Sequence, residues 1–487
     1  MTTKEFCYNK TLTQIVKDLE KLHKEKQPQQ ENKIYKRIYD WEGYALEVPL
    51  NKTIYKEEYL KNYKKYNSIL KRINDRLNEI NIYFTNSYKG YPRNPYIELL
   101  DVALYCSNFY NHNFHKYPFK KIFELYNEKI DITEVNWYYV ICGYLVDKFV
   151  ELKEGIEDTL KTKNTEKERY VKDIIIYIND YINQIGTMMD IIKSVIKKDI
   201  EIDIEKVIKE NNLLNTKYKK LNKGFNNITY ELEDYIIKIC INKNNETKFL
   251  NEINFYKENN NKYIPKLYKS DISKKIIPYY YQILEKITGK TLYEVWYKLD
   301  KEERKDIVLE IIKLLKTIHT KKDGNSFKNF IKERLIKVLK KCELEDELFH
   351  NLLDYCDVYF NKVDLYTLHG DVHFDNIIYH DKKIKLIDFE RTMLGPIDYE
   401  YRYLNQYKTR PWKWASETSD LLTIEADYDE VMDIILENDE RLKEIPYLEE
   451  RLTVYEILDL LQVYLHNNDE ELLDKIKKKI IILKYNK

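Results

Sequence analysis

The chain has 487 residues, more than one compact core holds, so two to four domains of roughly 100–200 residues each are expected. Hydrophobic residues make up 43% and charged residues 34%, enough apolar material to exclude wholesale disorder. The 82 basic and 82 acidic residues cancel, and neither the first 200 residues nor the remainder shows the basic excess of a chain whose main partner is nucleic acid.

Ten glycines and ten prolines leave few turns and predict a largely helical chain. The six cysteines lie far apart with no Cys-x-x-Cys pair, the pattern of reduced thiols in a cytoplasmic protein. The start, Met1 to Glu5, lacks the apolar stretch of a signal peptide. The longest apolar run, Trp137 to Val146, is about half of what a membrane span needs.

Residues 1–200 read as a mainly helical accessory region. Leu12, Ile15, Val16 and Leu19 share one helical face, and Val171, Ile174, Ile175, Ile178, Ile182, Ile185, Met189 and Ile192 share a longer one. Gly90 and Pro92 mark a loop before a helix starting near Pro95. His112 and His115 have no carboxylate or cysteine partner at ligand spacing and read as structural. The sequence assigns no function here, although a protein partner is one use for such a region.

The pattern changes near Asp203, which predicts a domain boundary within 195–215 and a second domain over 205–487. Short alternating segments follow at Tyr218–Leu221, Ile228–Leu232 and Tyr235–Ile241, with Glu233-Asp234 as a hairpin turn. Lys248–Asn259 reads as helix and Tyr279–Glu285 as strand. Helices dominate from Glu302, starting with the stripe Ile307, Val308, Ile311, Leu314, Leu315 and Ile318.

The stretch Leu368 to Glu390 carries the chemistry. Two short apolar strands flank a turn at His380–Lys383, which brings Asn376 near Asp388 and leaves Asp371 on the entering loop. Phosphoryl transfer needs one carboxylate to orient a hydroxyl and accept its proton, and it needs oxygen ligands for magnesium on a triphosphate. Asp371 suits the first task; Asn376 and Asp388 suit the second. Hard oxygen donors without cysteine ligands or clustered histidines fit Mg2+ rather than zinc.

His369-Gly370-Asp371 with Asn376, followed by Ile387-Asp388-Phe389-Glu390, resembles the aminoglycoside phosphotransferase and choline kinase superfamily over roughly 215–470. The resemblance implies an α+β, bilobal, protein-kinase-like fold. Its small antiparallel sheet lobe would span 215–287 and its helical lobe 288–487. It implies a γ-phosphate transfer from ATP or GTP, with Mg2+, to a hydroxyl of a small molecule of the aminoglycoside, amino-alcohol or sugar type, cationic acceptors among them. Lys223, Gly224, Phe225, Asn226 and Asn227 correspond to the phosphate-covering loop, and Lys238 to the nucleotide lysine with Glu252 as its helical partner. Ile236 is placed at the adenine, and Glu285 and Ile287 in the hinge. Gly395-Pro396-Ile397-Asp398 matches the segment after the metal aspartate.

Alternation puts Ile236, Lys238 and Cys240 on one face of their strand and Ile237, Ile239 and Ile241 on the other. Gly370 and Glu390 depart from the protein-kinase pattern, and no Ala-Pro-Glu closes an activation segment. Trp412 and Trp414, with Glu417, Asp420, Glu425, Asp427, Asp429 and Glu430, suggest an amine-binding face; tryptophans in the core beside a solvated acidic side are the plainer reading. Two further readings stay open: a nucleotide-binding pseudokinase scaffold, and a protein-kinase-like enzyme that recruits its substrate through residues 1–200.

Overall fold

The computed structural model describes residues 2–24, 26–27, 52–77, 84–85, 94–130, 132, 135, 137–196, 202–213, 217–221, 227–324, 326–342, 347–416, 419–467 and 470–485. The chain divides into two compact units, Met1–Ile200 and Glu201–Lys487.

The N-terminal unit is built from α1 (Thr3–Cys7), α2 (Leu12–His23), α3 (Lys56–Leu77), α4 (Pro95–Cys106), α5 (Lys116–Asn127), α6 (Trp137–Thr162) and α7 (Thr165–Ile196). Caps set the starts: Thr11 and Gln14 form a capping box on α2, and Asn94 caps α4 with Pro95 in its first turn. The short link between α6 and α7 ends at Asn164, whose Oδ1 accepts the N–H of Glu166 at 2.8 Å. The apolar stripe from Val171 to Ile192 is buried. The core is aromatic and hydroxyl-bridged: the Tyr144 and Tyr177 hydroxyls lie 2.8 Å apart, and Tyr110 donates to Asp101 at 2.7 Å. His112 pairs with Asp180 rather than with a set of metal ligands. Among the described residues no helix is long and apolar enough to cross a membrane.

The C-terminal unit opens with α8 (Ile204–Glu210), capped by Asp203. A five-stranded antiparallel sheet follows, formed by β1 (Lys219–Leu221), β2 (Asn227–Glu231), β3 (Tyr235–Cys240), β4 (Leu267–Asp271) and β5 (Tyr280–Glu285), in the order β1-β2-β3-β5-β4. Helix α9 (Glu246–Glu258) connects β3 to β4. The period of two along β3 decides what each face does. Ile237 and Ile239 pack with Ile202, Ile204, Val207 and Ile208 of the α8 segment, while Cys240 on the opposite face packs with Phe249 and Ile253 of α9. Lys238 shares that second face and is thereby aimed at α9. The edge strand β4 was not expected from the sequence, and it carries a register irregularity between Leu267 and Lys269.

The larger lobe continues with β6 (Lys290–Thr291), α10 (Leu292–Val295), α11 (Lys301–Ile318), β7 (Lys321–Lys322), α12 (Phe327–Lys341) and α13 (Glu347–Tyr359). Next come β8 (Leu365–Leu368), β9 (Ile377–His380), β10 (Lys383–Leu386), β11 (Met393–Gly395), α14 (Ile397–Glu400), α15 (Val431–Asn438), α16 (Glu440–Lys443), α17 (Leu448–Asn467) and α18 (Glu470–Tyr485). The stripe expected on α11 is buried in one large core with Trp296, Phe374, Phe389 and Tyr455. Two three-stranded ribbons, β11-β8-β7 and β10-β9-β6, punctuate this mainly helical lobe. Gly289 precedes β6 at φ 140°, and a Cβ there would lie 2.5 Å from the Tyr379 carbonyl oxygen, so the link between the lobes crosses β9 too closely for a side chain.

Because α8 covers an otherwise exposed sheet face, a chain starting at residue 205 omits Ile202 and Ile204 from that core. Ile204→Ala should destabilise the C-terminal unit by about 2–4 kcal/mol. A lowered urea midpoint of that unit's transition at unchanged slope would register the loss; an unchanged midpoint would show that α8 is not packed as described.

Candidate active site

The site forms where three local arrangements meet. The first is the β3–α9 pair. Lys238 Nζ donates to Glu252 Oε2 at 2.8 Å and to Asp388 Oδ1 at 2.8 Å, and Gln282 Nε2 on neighbouring β5 donates to Glu252 at 2.7 Å. Burial opposes the ammonium charge, but Asp388 and Glu252 outweigh it and hold Lys238 protonated above its ordinary range. Burial likewise opposes ionisation of Asp388, and Lys238 outweighs it, holding that carboxyl below its usual value.

The second arrangement is the hairpin β9–β10, in which Ile377 faces Leu386. The Ile387 N–H donates to the Asn376 carbonyl at 2.9 Å, locking the residue before Asp388 to Asn376. Asp388 itself adopts φ 67° and ψ 65°, a left-handed conformation costing a non-glycine residue roughly 1–2 kcal/mol. Packing enforces it: Phe389 is fully buried, stacks on Phe255 of α9 at 4.0 Å and meets the His369 ring edge-on at 4.5 Å.

The third is the loop after β8. Asn376 Nδ2 donates to the Asp371 carbonyl oxygen at 2.8 Å and lies 3.1 Å from His373 Nε2. His369 is buried; its Nε2 donates to the Ile387 carbonyl at 2.9 Å while its Nδ1 accepts the Asp371 N–H at 3.2 Å. Those roles fix a neutral tautomer, and burial lowers the ring's pKa accordingly. Burial also works against ionisation of Asp371, but His373 first, and then Arg391 at 3.3 Å, bring its carboxyl down to about 2. Gly370 takes φ 77°, and a Cβ there would lie 2.3 Å from the Arg391 carbonyl oxygen. That contact is the physical reason for glycine where protein kinases carry arginine.

Glu400 was not anticipated. It is buried and accepts N–H bonds from His369 at 2.7 Å and Gly370 at 2.8 Å, and His319 Nε2 lies 3.1 Å away. His319 therefore supports the loop through Glu400. Arg402 reinforces the same turn by donating to the Gly370 carbonyl at 2.5 Å. Inside Tyr399–Tyr403 an acid, Glu400, and a base, Arg402, alternate with tyrosines, and that alternation was the available signal.

The remaining expected residues fall as follows. Lys223, Gly224, Phe225 and Asn226 lie outside the described residues, as does Glu417; Asn227 begins β2, and its Oδ1 is buried without a partner. Ile236 is half-buried against the large core. Glu285 accepts from Lys385 at 2.7 Å and from the Lys266 N–H at 3.1 Å, so its side chain braces the hinge. Ile287 lies half-buried in the link to β6. Trp412 is buried, and Trp414 packs on Tyr403 at 4.7 Å, placing both tryptophans in the packing. Asp427 and Glu430 line a separate cavity of about 280 Å³ with Trp296, Lys301 and Arg304, away from Asp371 and Asp388.

Residues 217–432 match the model of the phosphotransferase enzyme family. This match supports a small-molecule phosphotransferase of the kinase type at family level for that region. No family is assigned to the residues before it. No curated protein matches the chain. Among solved structures, the chain is similar to the ADP-bound aminoglycoside phosphotransferase APH(2'')-Ib, with 17% identity, 58% of this chain and 98% of that chain covered, and a TM-score of 0.39. It is also similar to the streptomycin–ATP complex of APH(2")-IIa, at 17% identity, 58% and 97% coverage and a TM-score of 0.37. A third similar structure is a putative aminoglycoside phosphotransferase from Ralstonia eutropha, at 16% identity, 58% and 96% coverage and a TM-score of 0.37.

The Asp371 carboxyl sets a pH dependence for the stability of the C-terminal unit. Its folded pKa of about 2 lies below the ordinary 3.8. Its stabilising contribution is therefore fully present above pH 3.8 and lost as pH falls through about 2. Below pH 4 the wild type should lose about 2 kcal/mol that Asp371→Asn does not lose. Parallel urea melts from pH 5 to pH 2 measure the difference, and parallel stability curves for the two proteins would show that the carboxyl is not held down.

Proposed function

We propose that the C-terminal unit transfers the γ-phosphate of ATP or GTP to a hydroxyl of a small molecule. The observation that carries this reading is the joint placement of Lys238, Glu252 and Asp388 in one ion-paired cluster, with Asn376 tied by backbone to the residue before Asp388 and by side chain to the Asp371 loop. A pseudokinase has no need to keep all five.

In this reading Asp371 orients the acceptor hydroxyl and takes its proton as the oxygen attacks the γ-phosphorus. The bond from that phosphorus to the β-bridging oxygen breaks, and the nucleoside diphosphate leaves. Ionised through the neutral range, Asp371 is always available as acceptor, though a carboxyl this acidic is a weak base. Its main contribution is then to align the hydroxyl for a transition state in which little proton transfer has occurred. Lys238 meets the nucleotide phosphates, and Glu252 keeps its ammonium in place.

The donor set fits Mg2+. Asn376 commits its Nδ2 to hydrogen bonds, which leaves its Oδ1 for a cation, and Asp388 adds a carboxylate. Among the described residues no three His, Cys, Asp or Glu side chains converge, so phosphate and water oxygens would complete the coordination, as magnesium usually requires. When bound, the ion would neutralise charge on the triphosphate.

Nucleotide consumption by the purified full chain, screened against hydroxylated metabolites and antibiotics, tests the reading. Asp371→Asn should lower kcat by roughly 10²–10⁴-fold while nucleotide affinity stays within a few-fold. Turnover at the wild-type rate in that variant would remove Asp371 from the chemistry. Asp388→Ala should weaken magnesium-dependent nucleotide binding about tenfold or more, read by calorimetry with and without the metal. Unchanged affinity would take Asp388 out of the metal site.

A further inference from the structure

The charges on the acceptor side of Asp371 bear on what the acceptor is. An acceptor rich in amino groups needs unpaired carboxylates beside the hydroxyl-orienting aspartate, because a polycation is held by the anions it meets. Three of the acids after Trp412 already have cationic partners. Asp427 is bound by Arg304 at 2.8 Å, Glu430 by Lys301 at 2.6 Å and Asp433 by Lys408 at 2.7 Å.

Two basic side chains stand against Asp371: His373, with its Nε2 at 3.7 Å, and Arg391, which reaches Oδ1 at 3.3 Å and has 49% of its own side chain exposed. Behind the loop, the Arg402 guanidinium is sandwiched at 4.0 Å from each of the Tyr399 and Tyr403 rings and donates to the Gly370 and Tyr399 carbonyls. No carboxylate is within ion-pair distance of Arg402 among the described residues, although the Glu400 carboxylate on the same turn offsets part of its field. Tyr403 stacks on Trp414, over which Lys413 Nζ lies at 4.9 Å, and Lys413 meets Asp459 only at 3.8 Å. Burial brings Lys413 down to about 8, leaving it largely protonated at neutral pH.

We infer that the acceptor is a hydroxyl compound bearing an anionic group, a carboxylate or a phosphate, and that Arg391 is the residue that recognises it. This inference rests on the phosphotransfer reading. The exposed guanidinium suits a planar carboxylate or a phosphate in bidentate fashion. Docking that group on Arg391 would draw the guanidinium off Asp371 and free the Asp371 Oδ1 for the acceptor hydroxyl. Lys413 and Arg402 add attraction without touching the reacting atoms.

The experiment uses the full chain with magnesium and ATP or GTP, and two acceptor panels. One holds hydroxy acids and sugar monophosphates, the other aminoglycosides and amino alcohols. Turnover is expected with a member of the first panel. Arg391→Ala should raise the KM for that acceptor at least tenfold with the nucleotide KM within twofold, and Arg391→Lys should recover part of the loss. A merely structural Arg391 would not confine its effect to the KM of the charged acceptor. Turnover confined to the second panel, or an unchanged acceptor KM in Arg391→Ala, overturns the inference and leaves the phosphotransfer reading standing. No turnover with either panel overturns both.

Discussion

A carboxylate buried behind the Asp371 loop is the constraint on which the site's geometry rests. Glu400 has no exposed surface, and an ionised carboxylate taken out of water costs several kcal/mol unless donors replace the lost hydration. Two are backbone N–H groups of His369 and Gly370, and the third is His319. His319 is held in turn: Arg441 Nη1 lies 3.0 Å from its Nδ1, and Arg441 binds Asp439 through two nitrogens. Burial alone would raise the Glu400 pKa, yet His319 and the backbone donors bring it below its ordinary value. The carboxylate therefore stays charged, and a charged acceptor gives the loop stronger bonds than a neutral one would. The turn at Gly370, and with it the direction of Asp371, follows from that anchor.

The second charged cluster obeys the opposite logic. Glu400 is satisfied by groups that never leave it, whereas Lys238 divides its ammonium between Glu252, 1% exposed, and Asp388, 38% exposed. The inner pair is fixed by Gln282 and by the packing of α9; the outer pair faces the cleft. On the phosphotransfer reading, the contact that must give way when a nucleotide arrives is the outer one, since phosphate oxygens compete for Lys238 and a metal competes for Asp388. The strained backbone of Asp388 keeps its carboxylate aimed into the cleft whichever partner it holds, because Phe389 is clamped on Phe255 and His369 beside it.

Much of this was legible in the sequence because its signals are local. Alternation along Tyr235–Ile241 placed Lys238 on one face of its strand, and the spacing from Asp371 through Asn376 to Asp388 gave a hairpin with two oxygen donors at its base. What escaped was whatever depends on partners distant in sequence. Glu400 contacts backbone 30 and 31 residues away, and nothing within Ile397–Tyr403 names those partners. Strand β4, Leu-Tyr-Lys-Ser-Asp, has no alternation because it is an edge strand with an irregular register. Helix α8 has seven residues, under two turns and too few for a sustained helical pattern, so only a domain boundary within 195–215 was legible there.

The acids of the 412–433 region show why composition misleads where pairing decides. Counted along the chain they form a run that suggests cation binding, but each carboxylate that is met by a lysine or arginine within hydrogen-bonding distance has its field largely cancelled. What a ligand feels is the unpaired remainder at the mouth of the site. On the phosphotransfer reading, the cations nearest the acceptor include Arg391, which shares its charge with Asp371 at 3.3 Å, and, behind the loop, the buried Arg402, whose charge is stabilised by two tyrosine faces and backbone carbonyls. In the same reading, the segment from Asp388 to Tyr403 holds the proposed metal aspartate, the loop anchor Glu400 and a cation beside Asp371, so a substitution there changes the loop geometry and the local charge together.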